Sequence, residues 1–298
     1  MSPQPVLTRT DPGEWIWLML LLLAAVCFGI VPVFARALTE AGMAPEAVAF
    51  WRFALTALVG LPFLRLGRAD RRWTLRGVGA GAAVGLGWIG YVEALEAMPV
   101  ATAGVIYMTY PLFTLAFAWM LFAQRPGARA LAAGGMVLAA AAIAIGPTGL
   151  AFGGPGAVAA AFLAPMTFGL AIVVIVGWLV HMPAGARLAT VSLGAVVGLA
   201  PLVAELPAAA ILPGPGGWGT LLGIAVVTAL VPQALYVVAA PRVGAARAAM
   251  TGSFELPTMF LAGWALFGEA LGPGELAAGA LVIAAILMTP PVRPPRAE

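Results

Sequence analysis

Ten stretches of about 20 predominantly apolar residues follow one another along this chain, and no other feature limits its fold as strongly. Helices of that length cross a hydrocarbon core about 30 Å thick. The windows fall at residues 15–37, 45–66, 74–96, 100–122, 128–147, 155–179, 187–206, 217–240, 244–268 and 272–290. With 62% of its 298 residues hydrophobic and only 9% charged, the chain has too little polar surface to cover a soluble globule. The expectation is an all-α integral membrane protein. Connections between windows are short, so no soluble domain is expected.

The arginines set an orientation. Arg65, Arg68, Arg71, Arg72 and Arg76 cluster between the second and third windows, and Arg125 with Arg129, Arg187, and Arg242 with Arg247 occupy every second connection thereafter. Arg9, Arg293 and Arg296 lie on the tails. The opposite connections carry Glu40, Glu46, Glu93, Glu96, Glu205, Glu269 and Glu275. Both termini are therefore expected in the cytoplasm. The net charge of +3 is a topology signal and not a nucleic-acid patch, since no basic stripe is interleaved with aromatics. The first window is longer than the h-region of a signal peptide and reads as a membrane span. One cysteine, Cys27, excludes an internal disulfide, and one histidine, His181, excludes a histidine-rich metal cluster. No cofactor or metal is expected.

Displacing the chain against itself by about 140 to 145 positions brings several features into register. Phe28-Gly29-Ile30 meets Phe168-Gly169-Leu170, Tyr91 meets Tyr236, Tyr110 meets Glu255, and Phe122-Ala123-Gln124 meets Phe267-Gly268-Glu269. Each unit holds five spans, an odd number, so the second enters the membrane from the opposite face. The expected architecture is ten transmembrane helices as two inverted five-helix repeats, 15–147 and 155–290, flanked by cytoplasmic tails at 1–14 and 291–298. In the third window Gly81 and Gly85 form a small-xxx-small pair that lets a neighbouring backbone approach.

Within the ninth window Glu255 stands out, because placing an ionised carboxylate at that depth costs about 2.5–3.5 kcal/mol. It reads as a proton carrier, as a counter-charge for an amine, or as a structural carboxylate held by Thr251, Ser253 or an arginine. Arg52, inside the second window, either snorkels to the interface or pairs with a carboxylate, and the structural reading is preferred. Arg36 reads as an interfacial anchor, as do Trp15, Trp17, Trp73 and Trp218 at span ends. Pro32, Pro111, Pro165, Pro232 and Pro257 interrupt five spans away from their ends. Each removes a backbone donor, which is tolerated where protein or a wet cavity satisfies the freed carbonyl.

The duplicated five-span unit, the stretch from Pro111-Leu112-Phe113-Thr114 to Phe122-Ala123-Gln124-Arg125, and the stretch from Glu255 to Glu269 resemble the EamA branch of the drug/metabolite transporter superfamily. Two positions depart from the family pattern: Ala123-Gln124 stands where a glycine-glutamate pair is usual, and Glu255-Leu256-Pro257 stands where glutamate often precedes proline directly. The resemblance implies export of small metabolites or drugs by secondary transport through a cavity lined by both repeats. It assigns Phe28, Trp88, Tyr91, Tyr107, Tyr110, Phe168 and Tyr236 to helices around that cavity, where they offer stacking faces for an aromatic group or a planar cation. Gln233 and Glu255 are the expected polar contacts. The expected function is export of aromatic or other apolar amino acids across the bacterial inner membrane by alternating access, with a multidrug or cationic-compound exporter as the alternative. The expected partners are a small-molecule substrate and membrane lipid, with a monomeric chain and no nucleic acid. A membrane enzyme is disfavoured, since the chain lacks lysine, a P-loop, a GxSxG elbow and histidine-carboxylate metal spacing. A channel is disfavoured because no charged ring or selectivity loop is evident.

Overall fold

The computed structural model describes residues 14–65, 67, 70–97, 106–149, 155–268 and 271–289. Residues 1–13 and 290–298, residues 98–105 around the start of the fourth window, and Arg9, Arg68, Glu269, Arg293 and Arg296 lie outside the described residues. Among those described, every regular element is helical. An apolar sequence in lipid leaves the backbone no water to bond, so each segment satisfies its own polar groups by coiling.

Helix α1 (Glu14–Gly29) runs into α2 (Val31–Glu40) through a turn at Ile30, two residues ahead of Pro32. Helix α3 (Pro45–Gly60) ends in a 3-10 turn at Leu61–Phe63 and is followed by the long α4 (Arg71–Ala97). Then come α5 (Tyr110–Phe122) and α6 (Ala128–Gly149). In the second half, α7 (Pro155–Ala161) and α8 (Leu163–Gly177) join at Phe162, and α9 (Ala184–Ala204) and the short α10 (Ala208–Ile211) follow. Helix α11 (Trp218–Ala225) passes through a π-helical segment, Val226–Leu230, into α12 (Val231–Val243). The ninth window, expected as one span, is divided into α13 (Ala245–Gly252) and α14 (Glu255–Phe267) by a turn at Ser253-Phe254, and α15 (Pro273–Met288) closes the fold.

Among the described residues, five helical stretches are long and apolar enough to cross a membrane: Trp15–Glu40, Pro45–Phe63, Gly156–Gly177, Ala184–Ala204 and Trp218–Val243. Tyr110–Phe122, Ala128–Ile143 and Leu276–Met288 are shorter apolar helices. The outer surface is apolar as well, with Leu287, Met120, Leu266 and Leu58 all exposed. Such a surface is stable against hydrocarbon and not against water.

Side-chain size decides which helices touch. A Cβ on Gly85 of α4 would lie 2.5 Å from the Ala195 carbonyl of α9, and a Cβ on Gly81 would run into the Val191 carbonyl. Gly194 and Gly198 of α9 abut the Val78 and Ala82 carbonyls of α4 in the same way. The two glycine pairs thus form one backbone-to-backbone seam, of which the sequence pattern indicated only the α4 half. The remaining main pairings are α3 with α9, α6 with α15, α4 with α8, α1 with α12, α5 with α8, α4 with α7 and α1 with α14.

Helices α5 and α14 both end on a left-handed residue, Ala123 at φ 52° and Gly268 at φ 67°. Glycine takes that conformation freely, whereas a Cβ there costs about 1–2 kcal/mol. Ala123→Gly is therefore expected to stabilise the protein by about 1 kcal/mol, and Gly268→Ala to destabilise it by a similar amount. Thermal unfolding in one detergent checks both directions.

Candidate functional site

All five singled-out prolines sit in the first three residues of a helical segment that follows an interruption. Pro32 follows Ile30, Pro111 follows the turn at Met108-Thr109, Pro165 follows Phe162, Pro232 follows the π segment and Pro257 follows Ser253-Phe254. A first-turn position is where a missing N–H does least harm. The interruptions let the helices diverge around a cavity of about 510 Å³.

Its walls come from α1, α2, α3, α4, the residues ahead of α5, and α8, α9, α12 and α14. Phe28, Trp88, Tyr91, Tyr107, Phe168, Gln233, Tyr236 and Glu255 all line it. Four of the rings form a continuous train. Trp88 meets Tyr91 edge-on at 5.3 Å, Tyr91 meets Tyr107 at 6.2 Å, and Tyr107 lies 5.9 Å from Phe168. Apolar walls from Ile172, Ile175, Met259 and Phe260, which the sequence reading did not single out, complete the enclosure.

Tyr110 stands apart from the other rings. It is fully buried behind the wall, with its ring 5.0 Å from Phe168 and its hydroxyl donating to the Ala249 carbonyl of α13 at 3.0 Å. It holds α5 and α13 together and does not face the cavity space. Gly252, one turn along α13, makes room for that hydroxyl, which a Cβ there would meet at 2.5 Å.

Three groups give the cavity polar character. Glu255 opens α14, where a carboxylate gains from the positive end of the helix dipole. Thr251 and Ser253, the partners considered from sequence, do not hold it. Ser253 donates its hydroxyl to the Ala249 carbonyl at 3.4 Å, and the Thr251 hydroxyl is buried without a partner. Among the described residues the Glu255 carboxylate has no hydrogen bond and no salt bridge. Close approach of α1 fixes its position, since a Cβ on Gly29 would lie 2.8 Å from the Glu255 carbonyl.

Arg52 is the cation of the same cavity. It does not snorkel: only 6% of it is exposed, and it faces inward from α3. Nη2 donates to the Thr228 carbonyl at 3.0 Å, while Nε is buried with no partner. Thr228 is four residues before Pro232, so the N–H that would bond its carbonyl in an α-helix does not exist. The signal for Arg52 was in the sequence as a proline with a freed carbonyl, but the donor that answers it lies 176 residues away. Gln233, the third group, accepts a hydrogen bond from the Ser192 hydroxyl at 3.0 Å, which orients its amide. Tyr236 adds a buried hydroxyl without a partner.

The profile of the EamA-like transporter family matches residues 15–146. A solved crystal structure shares the fold with a TM-score of 0.74 at 16% sequence identity, over 92% of this chain and 96% of that one. No curated protein sequence matches the chain. Together with its apolar helices, the family match identifies a multi-pass membrane protein.

Tyr110→Phe is expected to cost about 1 kcal/mol of stability through the lost hydrogen bond to Ala249, and to leave the affinity for any ligand of the cavity within twofold of wild type. Thermal unfolding beside ligand titration checks this.

Proposed function

We propose that the protein is a secondary transporter that exports aromatic or other apolar amino acids across the bacterial inner membrane by alternating access. One observation carries the reading. Among the described residues, one guanidinium and one carboxylate, Arg52 and Glu255, line the aromatic cavity, and they form no salt bridge to each other. A zwitterion supplies the missing counter-charge to both, with its carboxylate toward Arg52 and its ammonium toward Glu255. The train from Trp88 to Phe168 receives the side chain. A cavity of about 510 Å³ is of the size small-molecule sites have.

The ten-span inverted repeat belongs to this proposal, and paired contacts support it. Gly29 of α1 abuts the Glu255 carbonyl and the Thr258 Cβ, at 2.8 and 2.5 Å from its ideal Cβ. Gly169 of α8 abuts the Tyr110 carbonyl and the Phe113 Cβ, both at 3.0 Å. Shifting Gly29 by 140 positions and its partners by 145 gives the second set from the first. The packed pairs follow suit: α1 with α12 answers α8 with α4, and α1 with α14 answers α8 with α5. Cytoplasmic termini are supported by arginines stacked on tryptophans near helix ends, Arg242 on Trp17 at 4.5 Å and Arg76 on Trp178 at 4.5 Å.

A cationic drug is the alternative cargo. It would engage Glu255 and the rings and leave Arg52 idle.

Counterflow in liposomes tests the reading with three labelled probes: phenylalanine, phenethylamine and 3-phenylpropionate. Saturable phenylalanine exchange is expected, reduced at least tenfold by Arg52→Gln and by Glu255→Gln. Preference for phenethylamine, with no effect of Arg52→Gln, would instead support the cationic-compound exporter.

A further inference from the structure

We propose that Pro232 is a positioning residue for the cargo's carboxylate, acting through the Thr228 carbonyl on Arg52. This rests on the reading that Arg52 receives that carboxylate.

A buried arginine in lipid needs a reason to stay put. Its long side chain has several rotatable bonds, and its alternative is to snorkel toward water. Pro232 supplies the reason by withholding an N–H from the Thr228 carbonyl, and the adjoining π segment, in which the Val231 N–H bonds the Val226 carbonyl, displaces the surrounding ladder further. The carbonyl then accepts from Arg52 Nη2 at 3.0 Å. Thr228 itself is fixed, because its side-chain hydroxyl donates to the Ile224 carbonyl at 2.6 Å and is completely buried.

One donor of the fork is thereby spent on orientation. Among the described residues Nε is buried without a partner, so the two N–H groups of Nη1 and the second N–H of Nη2 are the donors left for the cavity. A guanidinium held at one corner presents its remaining donors in a fixed plane, which lowers the ordering cost when an anion docks. An ammonium has three donors, but they radiate from one nitrogen on a flexible stem, so bonding the carbonyl leaves no second nitrogen held in a fixed plane for the cargo.

The same bond gives the site its reach across the fold. Arg52 belongs to α3 and Thr228 to the break that leads into α12, so the anchored guanidinium ties α3 of the cavity wall to that break. The cargo's carboxylate would sit on that joint while its ammonium meets α14.

Equilibrium binding to purified full-length protein, with phenylalanine and phenethylamine as probes, tests this. The readout is the ratio of the two affinities, which a general loss of structure would not move selectively. Arg52→Lys is expected to lower the ratio at least tenfold although the charge is kept. Pro232→Ala, which returns an N–H to the Thr228 carbonyl, is expected to lower it at least threefold. If Arg52→Gln lowers the ratio while Arg52→Lys and Pro232→Ala keep the wild-type value, the anchoring role is overturned and the carboxylate site stands. If Arg52→Gln itself leaves the ratio unchanged, the underlying reading of the cargo fails.

Discussion

In a hydrocarbon medium a backbone carbonyl without a donor is expensive, and the architecture around the cavity follows from how that cost is met. Continuous helices meet it automatically but pack as parallel rods with little space between them. Five interruptions, each just ahead of a first-turn proline, open the space. The clearest case is the Thr228 carbonyl, which Pro232 leaves without its usual donor and Arg52 satisfies from another helix. Polar chemistry enters the cavity as a consequence of the helix break. The charge of Arg52 and the freed carbonyl justify each other, and neither is easily kept without the other.

Glu255 is held by a different device. It occupies a helix start created by the Ser253-Phe254 turn, with Gly29 bringing α1 against its backbone. Its counterpart on the proposed repeat, Tyr110, occupies the start of α5 with Gly169 against its backbone. The scaffolds match and the chemistry does not. Tyr110 turns its hydroxyl into the protein and bonds Ala249, so that half contributes stability, while among the described residues the Glu255 carboxylate beside the cavity has no partner. On the proposed repeat, Glu255 and Arg52 at the cavity would give a zwitterion a single preferred direction.

Much of this was legible in the chain. The apolar windows foretell the helices because membrane length and hydropathy leave few other solutions. Phe28, Tyr107, Phe168 and Tyr236 lie in windows that the prolines interrupt, whereas Trp88 and Tyr91 reach the cavity from the uninterrupted α4. The division of residues 244–268 was less legible. Gly252 and Ser253 are common inside apolar helices, and the break depends on packing of α13 against α5 through Tyr110. Arg52 was misjudged for a related reason: seven residues into an apolar window, a snorkelling arginine and an anchored one look alike. The deciding partner is a carbonyl, which no side-chain pattern reveals. Gln233 was legible as polar, but its orientation depends on Ser192, 41 residues earlier.

The central claim is that one aromatic amino acid lies in this cavity with its two charges divided between Arg52 and Glu255. A crystal structure with bound 4-bromophenylalanine, using anomalous scattering from the bromine, measures this most directly. The account predicts the bromine against the rings of Trp88, Tyr107 and Phe168, the carboxylate within hydrogen-bond distance of Arg52, and the ammonium within hydrogen-bond distance of Glu255. Bromine found outside the cavity, or a ligand whose charges face away from these two side chains, would contradict it.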